Sequence, residues 1–121
     1  MSADDVPGAS SMHRSSITTR DDGVVTTVRL VGEIDVTVRD QSRRAVADVV
    51  ARGLPVVLDM SGVRFIDSSG VAFLLQCHRT CTSAGLDCRL RDVPRQAEVV
   101  LRVLGLDTVL PIEREGAPAG H

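Results

Sequence analysis

The chain has 121 residues, a length typical of one domain that folds without a metal or a disulfide. Hydrophobic residues make up 43% of it and the formal net charge is -2, with no basic block, which excludes an electrostatic binder of nucleic acid. No apolar run is long enough to cross a membrane and the N-terminus lacks a signal-peptide pattern, so we expect a cytoplasmic protein with no membrane segment.

The first elements are predicted to form a hairpin. Residues 1–14 are small and polar without apolar periodicity, which indicates a flexible N-terminal segment before a domain spanning 15–112. A turn signal at 21–23 separates a first strand near 17–20 from a second strand at 24–31, whose inner face would include Val24. The chain is then expected to leave the sheet at 32–35, with Glu33 and Asp35 in the loop.

The first helix is predicted to begin at Thr37, with Asp40 completing a short capping box. Its apolar residues recur at helical spacing to about Arg52, where Gly53 ends it. The predicted inner face consists of Val38, Ala45, Val46, Val49 and Val50.

The segment 55–75 organises the rest of the chain. Residues 56–58 form an apolar run ending at Asp59, typical of a strand buried on both faces of a parallel sheet. A loop follows, with a turn at Ser61-Gly62 and an apolar anchor at Phe65 and Ile66. A helix then begins at Ser68 and continues to about residue 84.

The start of this helix is both a structural and a chemical feature. Asp67, Ser68 and Ser69 place a carboxylate and two hydroxyls at a helix end, where free N–H groups and the dipole favour an anion such as phosphoserine. Asp and Ser are also ordinary helix caps. From the spacing alone, capping is the favoured interpretation of Ser68.

The C-terminal third continues the alternation of strands and helices. Residues 86–91 alternate apolar and charged side chains, which predicts an edge strand. A third helix starts at Pro94, with an inner face that includes Leu104, and Gly105 ends it. A last short strand at 109–112 and a flexible tail at 113–121 complete the chain. The predicted class is α/β, a mixed, mainly parallel sheet of about five strands with helices packed against it.

The three cysteines are interpreted as core residues. An odd number of thiols fits a reducing compartment better than a disulfide framework. Cys77 and Cys81 lie one helical turn apart with His78 between them in sequence, but His78 points elsewhere on the helix and no second ligand pair is visible. We therefore predict no metal site, and neither the composition nor a motif indicates a cofactor.

Three segments together resemble the STAS domain family, and within it the bacterial anti-sigma factor antagonists. The resembling segments are Leu30-Val31-Gly32-Glu33-Ile34-Asp35, the run from Val56 to Gly70, and Leu104-Gly105-Leu106. The resemblance covers roughly residues 15 to 112. It implies a STAS-like fold.

The resemblance also implies a function. In that family, an anti-sigma factor that is an ATP-dependent serine kinase phosphorylates the first hydroxyl residue after the motif aspartate, and a phosphatase reverses this. On this chain that residue is Ser68, and the implied partner surface consists of Glu33, Asp35, Asp67, Ser68 and Ser69. The unmodified antagonist binds the anti-sigma factor and thereby releases a sigma factor. For Asp35, helix capping remains an alternative role.

Two rival interpretations are considered, one outside the family and one within it. An enzyme is not expected, because His78 lies about 15 Å along the helix from Ser68 and no nucleotide-binding motif occurs. Within the family, a STAS-type accessory subunit or adaptor of a transporter or a larger signalling complex is the alternative function.

Overall fold

The computed structural model describes residues 15–113. The two predicted flexible ends lie outside these residues, apart from Glu113. The elements are β1 (Ser16–Asp21), β2 (Thr26–Ile34), a 3-10 turn (Val36–Val38), α1 (Arg39–Arg52), β3 (Val56–Ile66), α2 (Ser68–Ser83), β4 (Cys88–Arg91), α3 (Arg95–Val103), a second 3-10 turn (Leu106–Thr108) and β5 (Ile112–Glu113).

The five strands form one sheet in the order β1-β2-β3-β4-β5. β1 pairs with β2 antiparallel, and every other neighbouring pair is parallel, which confirms the predicted mixed, mainly parallel sheet. Because the parallel strands advance in one direction and such crossovers are right-handed, the three helices lie on one face of the sheet. The other face is open to solvent along alternate residues of β2, such as Arg29 and Glu33.

The central strands are longer than the sequence predicted. β2 continues through the expected loop at 32–35 to Ile34, and β3 continues through the expected loop at 59–66 to Ile66. The pairing shifts register twice, and at each shift β3 carries one residue more than β2. Gly62 marks a close approach and not a turn, because a side chain there would meet a Val31 methyl carbon at 3.0 Å and the Leu30 carbonyl at 3.2 Å.

The hydrophobic core lies between this sheet and the helices. Its fully buried members come from every layer and include Leu30, Val49, Leu58, Leu74 and Leu101. Four positions predicted to face inward are instead exposed: Val24, Val50, Phe65 and Leu104. Val24 precedes β2, Leu104 follows the last residue of α3, and Val50 lies beyond the edge of the buried stripe of α1, where Gly53 ends the helix as predicted.

β4 is not the edge strand that its alternating pattern predicted. Cys88 and Leu90 are buried and Arg89 is exposed, as expected, but β5 pairs with Leu90 and Arg91 and covers that edge. A last strand was predicted at 109–112 and lies at Ile112–Glu113, but the sequence did not indicate that it would pair with the edge of β4. The alternation of buried and exposed residues therefore indicates only that one face of β4 is not covered by a helix.

All three cysteines are free and buried, which confirms their interpretation as core residues. Cys77 and Cys81 lie on α2 and Cys88 begins β4. The structure adds a feature that the sequence spacing did not reveal. The third thiol comes from the next strand and joins the other two.

Candidate functional site

The ends of β2 and β3 form two matching junctions. Ile34 and Ile66 are register partners on parallel neighbouring strands, and both are buried. An aspartate follows each of them, Asp35 after β2 and Asp67 after β3. The two aspartates therefore leave the sheet side by side at its carboxyl edge, which is where ligand and partner surfaces gather in folds of this class.

Asp67 is the cap of α2. Its backbone is extended, and its Oδ1 accepts hydrogen bonds from the backbone N–H groups of Ser69 at 2.8 Å and Gly70 at 3.2 Å. Its own carbonyl accepts the first helical bond from Val71 at 2.9 Å. Ser68 is thus the first helical residue and not the cap, which corrects its predicted resting role.

Gly70 fixes the first turn of α2 against the end of β2. A Cβ atom at this position would lie 2.4 Å from the carbonyl oxygen of Ile34 and 2.6 Å from a side-chain carbon of Ile66. The N–H of Asp67 also donates to the Ile34 carbonyl, at 3.4 Å. Glycine is required here because the helix backbone contacts the strand end directly.

Asp35 caps the first 3-10 turn in the same way. Its Oδ1 accepts from the backbone N–H of Thr37 at 3.0 Å and from the Thr37 hydroxyl. The capping alternative for Asp35 is therefore present in the structure. The predicted cap at Thr37 was wrong, because an aspartate two residues earlier already occupies that role and α1 begins only at Arg39.

The structure brings part of the predicted partner surface together. Ser68 and Ser69 are exposed. A small cleft of about 50 Å³ lies between the two junctions, lined by both Asp35 and Ser69. Glu33 is outside this cleft, because it points to the helix-free face of β2, where its register partner on β3 is Phe65.

Two exposed apolar side chains flank the junctions, and the sequence did not lead us to expect either of them at the surface. Val36 is 52% exposed and Phe65 is 51% exposed. The signal for Phe65 was available, because Ile66 must point inward before the cap and its neighbour on a strand then points outward. We define the junction surface as Glu33, Asp35, Val36, Phe65, Asp67, Ser68 and Ser69.

The helix-free face carries charged pairs at the other end of the sheet. A cleft of about 780 Å³ there is lined by arginine and aspartate side chains from the strands and the first turn. Burial opposes the ionisation of Asp59, but hydrogen bonds from the Ser61 backbone and hydroxyl, with the charges of Arg91 and Arg29, lower its pKa. This cleft balances its charges internally, so it has no clear preference for an anion or a cation.

Neither a histidine near Ser68 nor a membrane-spanning helix is present in the part of the chain that the structure describes. His78 is the one histidine within residues 15–113, and it lies ten positions beyond Ser68 on α2, about 15 Å along the axis. No helix among these residues is long and apolar enough to cross a bilayer.

The fold and the junctions agree with a match to a protein family. Residues 16–117 match the model of the STAS domain. The chain therefore belongs to the STAS domain family. No curated protein sequence matched it.

Solved structures share the fold at low sequence identity. An anti-sigma factor antagonist from Mycobacterium paratuberculosis is 24% identical, with a TM-score of 0.69 over 83% of this chain and 86% of that one. The phosphorylated form of SpoIIAA, a Bacillus cell fate determinant, is 20% identical, with a TM-score of 0.64 over 83% of this chain and 93% of that one.

A structure of SLC26A9 also matches. It is 17% identical, with a TM-score of 0.56 over 70% of this chain and 16% of that one. The three matches establish a shared fold for domains that occur in different protein contexts.

Proposed function

We propose that this protein is an anti-sigma factor antagonist that acts by binding and not by catalysis. Its docking site for the anti-sigma factor is the junction surface. The observation that carries this proposal is the exposed Ser68 at the start of a 16-residue helix, directly after the cap Asp67. The similar structures include an anti-sigma factor antagonist from Mycobacterium paratuberculosis and the anti-sigma factor antagonist SpoIIAA, which has been solved in an unphosphorylated and in a phosphorylated form.

The composition of the junction surface suits a protein partner. Val36 and Phe65 offer apolar area at its two sides, and each is about half exposed. Asp35, Asp67 and Glu33 surround them with negative charge. An apolar contact with a charged rim is the usual anatomy of a protein interface, and the acidic rim favours a partner with a basic surface.

Ser68 is the proposed phosphate acceptor. Its hydroxyl is accessible to a kinase, and the helix dipole partly stabilises an anion at this end of α2. The charged groups on the junction surface as defined are carboxylates, and Arg39 lines the small cleft beside Asp35 and Ser69. A phosphate on Ser68 would therefore add negative charge to an acidic surface, with Arg39 as a cation at its edge.

The new phosphate would remain on the surface. Asp67 already accepts from the backbone N–H groups of Ser69 and Gly70, the donors that would otherwise hold an anion at this helix start. Phosphorylation adds about -1.5 to -2 charge and three acceptor oxygens. Because the cap is already made, this charge changes the surface and leaves the fold intact.

The loss of partner binding on phosphorylation then follows from desolvation. A partner that covers Ser68 must remove water from a group with close to two negative charges, beside the carboxylate of Asp67. A loss of about 3 kcal/mol of binding free energy weakens association more than a hundredfold. The proposed partners are an anti-sigma factor with serine kinase activity and a serine phosphatase that restores binding.

The test is phosphate mapping with matched serine variants. Each anti-sigma kinase of the source organism is incubated with the protein and ATP, and the labelled residue is identified by mass spectrometry. We expect phosphate on Ser68 in the parent and none in Ser68→Ala. Ser83→Ala, an exposed serine at the other end of α2, is the control and should be labelled at the parent rate.

Binding is measured separately. Ser68→Ala should keep its affinity for the kinase, whereas the phosphorylated parent should lose at least about a hundredfold. Phosphate on Ser69, or equal labelling of Ser68→Ala, would show that the acceptor is wrong. Unchanged binding of Phe65→Ser, with its thermal stability retained, would remove the apolar contact from the interface.

The alternative is an accessory subunit or adaptor of a transporter or a larger signalling complex. The match to SLC26A9 favours it, although the share of that chain is small. Affinity capture from the source cell separates the two functions. Recovery of an anti-sigma kinase supports the antagonist, and recovery of a transport protein supports the adaptor.

A further inference from the structure

The three thiols of the chain converge on one point in the core. Cys77 and Cys81 lie one turn apart on α2, and Cys88 is the first residue of β4. Their Sγ atoms all lie within 4.8 Å of one another. The chain has three cysteines in total, so this cluster contains every thiol of the protein.

The backbone holds the cluster in place from both sides. The carbonyl of Cys81 accepts hydrogen bonds from the N–H groups of Ala84 at 3.0 Å and Leu86 at 2.8 Å, which fixes the end of α2. Cys88 is held in the sheet as the register partner of Val56. Three sulfurs bound to one ion at about 2.3 Å would lie about 4 Å apart, a separation that this arrangement can reach through side-chain rotation.

The surroundings of the cluster define which ion it suits. The cysteines are 0%, 0% and 4% exposed, so water has little access as a further ligand. Within residues 15–113, no fourth histidine, cysteine, aspartate or glutamate joins the group. Zinc prefers four ligands in a tetrahedron, whereas soft thiolates select ions such as Cu(I), which also accepts three.

We propose that Cys77, Cys81 and Cys88 form a binding site for a soft, thiophilic metal ion that takes three sulfur ligands, with Cu(I) as its representative. The site lies between the C-terminal half of α2 and the first residue of β4, away from Ser68, and is independent of the proposed partner switch. Each metal–sulfur bond replaces an S–H bond, so three protons leave to solvent, and the three thiolates with Cu(I) carry a net charge of -2. No electron is transferred, because copper enters and stays as Cu(I).

The competing explanation is that the thiols serve only as small core residues. Free cysteine is among the most buried residue types and packs as a small hydrophobe. That role accounts for the burial of each cysteine singly. It does not require all three sulfurs, from two different elements, to meet at one point.

The first test uses the full chain under anaerobic, reducing conditions. Cu(I) is titrated in competition with a coloured Cu(I) chelator, and X-ray absorption counts the sulfur neighbours of the bound ion. We expect one ion per chain with three sulfurs, and weaker retention of Zn(II) in a parallel titration. Failure to compete for Cu(I), fewer than three sulfur neighbours, or tighter four-coordinate binding of Zn(II) would overturn the proposal.

The second test uses variants. Cys88→Ser should weaken Cu(I) binding by more than about 100-fold, beyond the loss typical of a supporting residue around a metal. Ser83→Ala, on the same helix, should bind Cu(I) like the parent. Circular dichroism checks that each variant is folded.

Thermal stability supplies an independent readout for the parent and the same variants. An ion that binds the folded chain raises its Tm, so Cu(I) should raise the Tm of the parent and of Ser83→Ala. It should leave the Tm of a folded Cys88→Ser unchanged. An equal rise in Cys88→Ser would place the bound copper elsewhere and contradict the assignment.

Discussion

The two junctions at the carboxyl edge of the sheet use the same cap but begin different structures. After β2, Asp35 caps a 3-10 turn of three residues, and the third residue after it is the buried Val38. After β3, Asp67 caps a 16-residue helix directly, and the third residue after it is Gly70. The comparison teaches that the cap residue sets where the chain turns, whereas the residue three positions later sets how closely it packs on the sheet.

This difference bears on Ser68. A glycine-sized gap lets the backbone of α2 contact the carbonyl of Ile34, so the first helical turn is held by packing. Val38 fills the corresponding position of the first junction with a side chain. We therefore expect the position of Ser68 to be more sensitive to changes at its junction than the position of Asp35.

The largest expected effect comes from removing the close approach at the second junction. Gly70→Ala places a methyl group 2.4 Å from the Ile34 carbonyl, so the helix must shift. We expect a loss of about 3 kcal/mol in the free energy of unfolding, the upper end for overpacking. Chemical denaturation measures it.

The matched control is Ser69→Ala, one position earlier and exposed, which should change stability by less than about 0.5 kcal/mol. Equal stability of Gly70→Ala and the parent would mean that α2 does not contact the strand as described. A large loss in Ser69→Ala would instead assign the sensitivity to its hydroxyl.

A smaller loss of stability is expected from removing either cap, and the two cap variants can be compared directly. Asp67→Ala removes the acceptor of two backbone N–H groups on a long helix, so we expect a loss of about 2 kcal/mol. Asp35→Ala removes the acceptor of one backbone N–H group on a short turn, and we expect about 0.5 kcal/mol. Thermal denaturation of both variants measures the difference.

Asparagine variants show which property of the caps matters. Asparagine caps about as well as aspartate, so Asp67→Asn should recover most of the loss of Asp67→Ala. If Asp67→Asn is as unstable as Asp67→Ala, the negative charge at the helix end and not the hydrogen bonding would be responsible. Equal losses for Asp35→Ala and Asp67→Ala would remove the proposed contrast between the junctions.

The smallest effect lies away from both junctions, at the ion pair of Asp59 and Arg91 on the helix-free face. Their nearest atoms are 3.6 Å apart. Burial opposes the ionisation of Asp59, but hydrogen bonds from the Ser61 backbone N–H and hydroxyl, followed by the charges of Arg91 and Arg29, lower its pKa in the folded protein. Asp59 therefore contributes stability above its unfolded pKa of about 4, and that stability is lost as the pH falls through the lower folded value.

Asp59→Asn should accordingly cost less than about 1 kcal/mol at pH 7, and the difference from the parent should vanish in acid. Urea denaturation between neutral and acid pH measures both limits. A difference that stays constant with pH would assign the effect to packing or hydrogen bonding and not to the charge of Asp59.

The order and type of the main elements could be predicted because the local signals are strong. The apolar run at 56–58 and the glycine at position 53 each act within a few residues of the sequence, whereas the helix cap was assigned to Ser68 and lies one residue earlier, at Asp67. The class of the sheet followed from the alternation of strands and helices. The family resemblance pointed to the same edge of the sheet that the two junctions form.

The missed features depend on contacts between distant segments. The extension of β3 to Ile66 needs the pairing with β2, and the inner position of β4 needs a two-residue partner strand. Phe65 is the exception, because it was predicted as the apolar anchor of a loop, although the alternation of side chains along a strand turns it outward once β3 extends to Ile66. The meeting of Cys88 with the thiols of α2 likewise follows from the fold, since no spacing in the sequence encodes it.

The long parallel pairing of β2 with β3 has a consequence for the rate at which the protein folds. These strands, Thr26–Ile34 and Val56–Ile66, cannot pair until the chain between them has closed into a crossover, and ordering that loop is a kinetic cost. We expect this event to set the folding rate. Changes that weaken the β2–β3 pairing should then slow refolding, whereas loss of the Asp67 cap should mainly accelerate unfolding, as stopped-flow measurements can distinguish.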